Sequence, residues 1–271
     1  MKQLSNEELR QFQIQILDDV HEFCEKKGLS YSLAGGTLLG AVRHKGYIPW
    51  DDDIDIMMPR YDYEILMAEF QNHKKEYLVH GMNISNGERL NAFYGKVSLK
   101  NTYIKETNKI FDDGLELGIN IDIFPIDDLR YSKPIVNKYL GFLLRFFKRL
   151  YLTQFKSVTK SKGSGRYFLY LAKYLSKILA PLCNFMFSVF ITRTSDKVNY
   201  RVSLGSRYIE RDIFPAFLYD SYREVSFEGK LYKCIKDKDL YLKQIYGDYM
   251  TIPNVSNQVN HGSIGFVLSS E

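Results

Sequence analysis

The 271-residue sequence predicts an α/β or α+β fold, a mixed sheet with flanking helices followed by a separate basic and aromatic helical region. Three observations carry that prediction. Over the first 129 residues, runs of strand length alternate with segments of helical period. Two of those runs, IDIMM (54–58) and INIDIF (119–124), place acids inside apolar strand patterns. After Pro125 the character changes, and two long segments are aromatic, aliphatic and basic together.

Ser5 with Glu8 three residues on reads as a capping box. Behind it Leu9, Phe12, Ile16, Leu17, Val20 and Phe23 recur at helical spacing, and Gly28 supplies a stop, so a first helix is predicted over 6–27. LSYSLA (29–34) reads as a short strand, Gly35-Gly36 as a tight turn and TLLGAVRH (37–44) as a short helix. IDIMM is the next strand, ended by Pro59, and RYDYEILMAEFQ the next helix. AFYGKVSLK (92–100), TYIKE (102–106) and LGINIDIF (117–124) read as further strands. The segments 134–156 and 165–193 predict amphipathic helices, with KSKGSG (160–165) as a flexible linker. Three parts result: a catalytic core over 1–129, a basic helical region over 130–201, and a C-terminal part over 202–271 that packs back on the core.

At 45% hydrophobic the chain can bury a substantial core. The opening MKQLSNEELR has no apolar run of the secretory kind. Cys24, Cys183 and Cys234 are odd in number and lack paired spacing, which argues for a reducing compartment, and the five histidines show no zinc pattern. The net charge of +5 conceals a segregation: residues 129–201 hold fifteen Lys/Arg and one acid, Asp196. Such a segment suits an anionic surface. Its longest charge-free stretch, Ile178 to Thr192, is 15 residues and contains Pro181, whereas a membrane span needs about 20 apolar residues. The lysines instead ring an apolar body, as in helices that lie at a lipid interface; a helical region packed on the sheet is the compatible alternative. The long aliphatic runs argue against nucleic acid as the polyanion.

Asp51, Asp52, Asp53 and Asp55 crowd the start of the IDIMM strand. Residues two apart in a strand point the same way, so Asp53 and Asp55 project together while Ile54 and Ile56 face the core. Two carboxylates on one face repel unless a cation lies between them, and Mg²⁺, shared between carboxylates and substrate phosphates, is the natural occupant, with Mn²⁺ as the alternative. A solvated acidic turn and a glycosyltransferase Asp-x-Asp compete with this reading. An EF-hand fails, because the sixth position from Asp51 is Ile56 and the twelfth is Asp62. Gly35, Gly36 and Thr37 sit between a strand and a helix, where backbone N–H groups can approach phosphate. Asp122, alone in a second apolar strand, requires a partner. The set of a Gly-Gly turn, Asp53-x-Asp55 and a third acid on another strand matches the nucleotidyltransferase-like (DNA polymerase beta-like) scaffold, where three carboxylates hold metal for in-line displacement at phosphorus.

The stretch GGTLLGAVRHKGYIPWDDDIDIMMPRYDYE (35–64) resembles the signature of the LicD family of phosphotransferases, which includes fukutin-related relatives. IDIFPIDDL (121–129) and YGDYMTIP (246–253), followed by His261, are similar to that family's later motifs in the same order. The chain departs from the family pattern in NVSNQV (254–259), which carries no basic residue, and at Cys234, where proline is usual.

The resemblance implies transfer of phosphocholine from CDP-choline to a sugar hydroxyl of teichoic acid, lipopolysaccharide or another surface glycan, with release of CMP. Ribitol or glycerol phosphate from a CDP-linked donor is the alternative. It implies Asp53, Asp55 and Asp122 as metal ligands and Gly35, Gly36 and Thr37 as contacts of the donor phosphates. Arg43, His44 and Lys96 are candidates to neutralise pyrophosphate, and Asp122 or Asp52 to take the hydroxyl proton. Trp50, Tyr246 and Tyr249 are candidate walls for the choline cation, and Asp248 and His261 belong to the later motifs. The expected location is the cytoplasmic face of the plasma membrane, in peripheral contact with anionic lipid and beside a lipid-linked glycan acceptor. A UDP-sugar glycosyltransferase and a non-enzymatic membrane scaffold are the rival functions.

Overall fold

A two-residue strand, β1 (Lys2–Gln3), leads into α1 (Asn6–Lys27), whose start is set by the expected capping box between Ser5 and Glu8. Gly28, at φ 68°, closes it in the left-handed region. There follow β2 (Ser32–Leu33), α2 (Gly35–Arg43), β3 (Asp55–Pro59), α3 (Arg60–His73), β4 (Tyr77–Gly81), β5 (Glu88–Arg89), β6 (Gly95–Leu99), β7 (Thr102–Glu106) and β8 (Asn120–Leu129). The basic region forms α4 (Pro134–Thr153) and α5 (Ser164–Phe190). After them come β9 (Ile191–Thr192), β10 (Tyr200–Val202), β11 (Ile213–Pro215), the hairpin β12 (Tyr222–Phe227) and β13 (Lys230–Ile235), α6 (Lys238–Tyr246) and β14 (Ser263–Val267). This computed structural model describes residues 1–82, 87–107, 116–156, 164–192, 198–258, 260 and 262–268. Residues 160–163 of the expected linker lie outside that set; 164 and 165 already belong to α5.

The molecule is a mixed α/β structure. Its main sheet has the order β11-β10-β8-β6-β4-β5, with β3 parallel to β8, β2 antiparallel to β3, and β9 on the end of β8. β8 is the axis of this sheet. It runs past Phe124, where the sequence pattern suggested an end, because Pro125 costs no hydrogen bond there. β6 pairs with β8 only over Asn120–Ile123, and β9 and β10 join it only from Asp127 onward. The missing N–H of Pro125 falls in that gap. β4 was not foreseen; it pairs with β6 and buries Tyr77, Val79 and His80. A second sheet, β1-β14-β7, ties the described C-terminal end to the N-terminus.

Apolar packing falls into two clusters. The larger joins α1, α2 and α3 to β3, β4, β6 and the first half of β8; Ile16, Leu17, Ile54, Ile56, Met58, Leu66, Phe70 and Ile123 are fully buried in it. The smaller joins Leu129 and Val202 to Leu140 and Leu144 of α4 and Cys183 and Phe187 of α5. Among the described residues, no helix is long and apolar enough to cross a membrane.

Candidate active site

Strand register assembles the site. Asp55 on β3 lies beside Asp122 on β8, and Asp122 lies opposite Lys96 on β6. Alternation sends Ile54, Ile56, Ile121 and Ile123 into the core, and the polar residues between them open onto a cavity of about 700 Å³. Asp53, Asp55, Asp122, Lys96, Glu106 and Gly35 line this cavity together. Asp53, Asp55 and Asp122 therefore border one cavity, although the three carboxylates that come within 4.8 Å of one another are those of Asp51, Asp52 and Asp53.

The Gly-Gly pair is packed against the acids. Gly35 and Gly36 form the first turn of α2 rather than a turn preceding it. Gly35 has φ +50°, and a Cβ there would stand 2.8 Å from Asp55 Oδ2; a Cβ on Gly36 would stand 2.5 Å from Asp51 Oδ2. Only residues without side chains let backbone and carboxylates approach this closely. The Thr37 hydroxyl is buried and accepts the Asp55 N–H at 2.8 Å, which fastens α2 to β3.

Burial pushes the Asp55 carboxyl well above the usual range, and Asp53, Asp122 and Asp51 add repulsion while Lys96 partly offsets it. Asp122 is also raised, by burial first, although the Lys96 ammonium donates to its Oδ1. Lys96 donates to Asn120 Oδ1 as well, at 2.9 Å. Burial works against its charge, yet Asp122 holds its pKa above the ordinary lysine value. Lys96 thus faces Asp122, while Asp55 stays crowded by like charge from Asp53, Asp122 and Asp51. Asp51, Asp52 and Asp53 offer carboxylate oxygens within 4.8 Å of one another. An all-oxygen, anionic donor set of this kind fits a hard divalent cation such as Mg²⁺.

Helix α1 holds the acidic loop by its backbone. Arg10 donates to the carbonyls of Pro49 (3.1 Å) and Asp51 (2.7 Å), and Gln13 donates to the Asp52 carbonyl at 2.9 Å. The Asp52 carboxylate accepts the Ser263 N–H at 2.7 Å, which ties the loop to β14.

Other expected residues lie around the cavity rather than in its wall. Arg43 donates to the Tyr249 carbonyl at 2.8 Å and to His44 Nε2 at 2.9 Å, and its guanidinium lies 6.0 Å from the Trp50 ring. Burial lowers the pKa of His44, and Arg43 lowers it further. Tyr249 donates to Asp239 at 2.5 Å, and Asp248 accepts the Thr251 hydroxyl at 2.6 Å. The Arg43–His44 corner therefore clamps the YGDYMT segment to the end of α2. Tyr246 is 42% exposed as a side chain, but burial of its phenol end, with Asp55 and Asp51 nearby, raises its pKa. His261 lies outside the described residues.

The opposite wall was not foreseen from the sequence. Arg145, Lys148 and Arg149 of α4, with Arg207 and Asp212 from the following segment, face the cavity that holds the acids. Lys148 donates to the carbonyls of Gly205 (2.9 Å) and Ser206 (2.8 Å), and burial pulls its pKa down to about 7. Burial pushes Asp212 up to about 6, against the Ser206 hydroxyl that donates to it and the nearby Lys148 charge. Six aromatic rings also line the cavity: Phe93, Tyr94, Phe124, Phe155, Tyr219 and Tyr241, with Tyr94 and Phe124 stacked at 5.0 Å. Asn91 Oδ1 and Ser203 Oγ are buried beside it with no hydrogen-bond partner among the described residues. The basic spacing of α4 could have signalled this wall, but nothing local says which side of a helix faces a distant strand.

A neighbouring cavity of about 940 Å³ is lined by Arg60 and Asp127. Those two satisfy each other through bonds of 2.6 and 2.7 Å, so its charge is already matched. The smaller cavity, which gathers Asp53, Asp55 and Asp122 with Lys96, is the candidate site.

The family model described as "LicD/FKTN/FKRP, nucleotidyltransferase domain" matches residues 28–134, the stretch that carries Gly35, Asp53, Asp55, Lys96 and Asp122. The chain is 31% identical to a lipopolysaccharide cholinephosphotransferase LicD of Haemophilus influenzae, over 96% of this chain and 97% of that protein. It also matches two uncharacterized proteins of Rickettsia. One, from Rickettsia typhi, is 38% identical over 25% of each chain, and one from Rickettsia prowazekii is 44% identical over 20% of this chain and 23% of its own.

Proposed function

The chain belongs to the LicD family, and on that premise we propose that it is a Mg²⁺-dependent phosphotransferase that moves phosphocholine from CDP-choline to a sugar hydroxyl of a surface glycan precursor. The observation that carries the reading is the shared cavity: Asp53, Asp55 and Asp122 line it together with Lys148, Arg149 and Arg145, the last paired with Glu210 at 2.7 Å. The relative's name, lipopolysaccharide cholinephosphotransferase, supports the headgroup and the glycan. The nucleotidyltransferase description of the matched family model supports the catalytic scaffold.

Asp53 and Asp55, with Asp122 beside them in register, would hold Mg²⁺. When bound, the ion neutralises the carboxylates and polarises the donor phosphates. The acceptor oxygen attacks the choline-bearing phosphorus, a new P–O bond forms, and the bond to CMP breaks with its electron pair leaving on CMP. The acceptor proton passes to a cavity carboxylate, Asp122, which lines the cavity and is held by Lys96. The basic wall balances charge on the departing CMP, so the protein contributes chiefly alignment and electrostatics. Tyr94 and Phe124, stacked in the same cavity, offer faces for a quaternary ammonium. Each of the other rings has a polar neighbour as well: Arg43 lies beside Trp50, Tyr249 donates to Asp239, and Lys96 lies 5.7 Å from the Tyr94 ring.

The test is incubation with CDP-choline, CDP-ribitol, CDP-glycerol and UDP-sugars, each with Mg²⁺ and a glycan acceptor, scoring CMP or UDP. CMP from CDP-choline alone is the expected result. CMP from CDP-ribitol or CDP-glycerol would change the headgroup, and UDP release would make the protein a glycosyltransferase. No release from any CDP donor defeats the proposal.

A further inference from the structure

Helices α4 and α5 form an antiparallel pair. Ser176 donates to the Leu150 carbonyl, Lys173 donates to the Lys156 carbonyl at 2.8 Å, and the Arg130 N–H reaches the Phe190 carbonyl at 2.8 Å. Each helix buries one side: Leu140, Leu144 and Leu152 on α4, Ser176, Cys183 and Phe187 on α5. The other side of each is apolar as well.

On α5, Tyr167, Leu171, Tyr174, Ile178, Leu182 and Phe185 follow helical spacing and form one stripe, yet they are 46% to 78% exposed. On α4, Ile135, Tyr139, Phe142 and Phe146 form a second stripe, 41% to 85% exposed. The residue just before a stripe member is repeatedly basic: Lys138, Arg166, Lys173 and Lys177. One step along a helix is a turn of about 100°, so the cations run along one edge of each stripe. Isolated exposed apolar residues are ordinary on proteins, but two stripes on paired helices form a patch that calls for a partner.

We propose that the outward stripes of α4 and α5 are a membrane-docking surface that lies in the interface of an anionic bilayer without crossing it. Charge selects the occupant. Neither α4 nor α5 contains an acid, and Lys138, Arg166, Lys173 and Lys177 flank the stripes, so a second copy of the same face would set like charge against like charge, whereas an anionic headgroup layer complements it. The rings and aliphatics enter the acyl boundary while the basic edge meets the headgroups. Position adds an argument: another side of α4 supplies Arg145, Lys148 and Arg149 to the cavity. Docking would hold the mouth of the site beside an acceptor anchored in lipid. That purpose rests on the transfer reading above; the vesicle binding does not.

The test is co-sedimentation of the full chain with vesicles of phosphatidylcholine, with and without phosphatidylglycerol. Wild type is expected to pellet with the anionic vesicles and to be released in part by salt. The triple variant Leu171→Glu, Ile178→Glu, Phe185→Glu should bind at least about tenfold more weakly, since each charge replaces a buried apolar group. It should still release CMP with a soluble sugar acceptor, because none of the three lines the cavity. Tyr174→Trp, a mild exchange at an exposed position, should shift its emission to the blue on vesicle binding and be quenched by brominated lipid. Asp53→Asn should lose CMP release and keep vesicle binding, which separates failure of the chemistry from failure of the docking. Wild type left in the supernatant at low salt, or a triple variant that pellets equally, overturns the proposal. So does a wild-type dimer, dissolved by the triple variant, that ignores vesicles.

Discussion

Helices α1 and α5 obey the same rule and end in opposite environments. Both carry an apolar stripe at helical spacing. In α1 the stripe of Leu9, Ile16, Leu17, Val20 and Phe23 is buried against the sheet. In α5 the stripe from Tyr167 to Phe185 faces outward, while a second row through Ser176, Cys183 and Phe187 makes the internal contacts. Periodicity marks which residues share a face; it does not say what covers that face. The acid strands show the complement of α5, for there charge points inward and only an assembled cavity accounts for it.

The largest effect should come from the acid side. Asp53→Asn or Asp55→Asn is expected to lower CMP release by about a thousandfold, the order of several kcal/mol of transition-state stabilisation. The same Asp55→Asn should raise the melting temperature without Mg²⁺, because burial and its neighbours already disfavour the ionised form. Added Mg²⁺ should stabilise wild type, and chelation should reverse this, with Asp55→Asn responding less. A Mg²⁺-independent melting curve would separate the cavity from metal binding.

Next is the buried pair. Lys96→Met should cost about 3–5 kcal/mol in denaturant titration, since it leaves Asp122 charged in a low-dielectric wall. Adding Asp122→Asn to it should recover much of that stability. If the single variant is as stable as wild type, Asp122 does not depend on Lys96.

The comparison between inward and outward stripes is sharpened by matched truncations. Ile56→Ala, at a fully buried position, should cost about 2–5 kcal/mol. Ile178→Ala, at a position 55% exposed, should stay within about 0.5 kcal/mol in the absence of lipid. Equal costs would mean that the α5 stripe is covered in solution.

A further effect is a pH slope. Asp212 has its pKa raised from 3.8 to about 6, so the folded state holds its proton more tightly than the unfolded chain. Its contribution is present below about pH 4 and is lost as pH rises through 6, on the order of 3 kcal/mol. Asp212→Asn should flatten the fall in thermal stability across that window. Lys148, lowered from 10.5 to about 7, acts with the opposite sign in a separate window: its penalty is relieved as pH rises above 7.

Much of the machinery was legible locally. The capping box, the stripe of α1, the Asp53/Asp55 alternation and the strand nature of 102–106 are properties of neighbouring residues, and they formed as expected. β8 was read too short because a proline normally ends a strand, and only the gap between its partner strands makes Pro125 harmless. Lys96 was one candidate among several until register set it against Asp122. The basic residues of α4 read as a surface feature, and folding turns Arg145 and Lys148 toward acids some ninety positions earlier in the chain.

By itself the sequence determined which side chains share a face, because faces repeat every two residues in a strand and every 3.6 in a helix. It also settled the family, because the acid and glycine motif is dense and contiguous. Tertiary structure alone decided which faces meet: that Asp55, Asp122 and Lys96 are strand neighbours, that α4 residues line the same cavity, and that the α5 stripe is left outside. The reason is physical. Which faces meet depends on strand register and helix docking between segments distant in the chain, and no local periodicity encodes the partner.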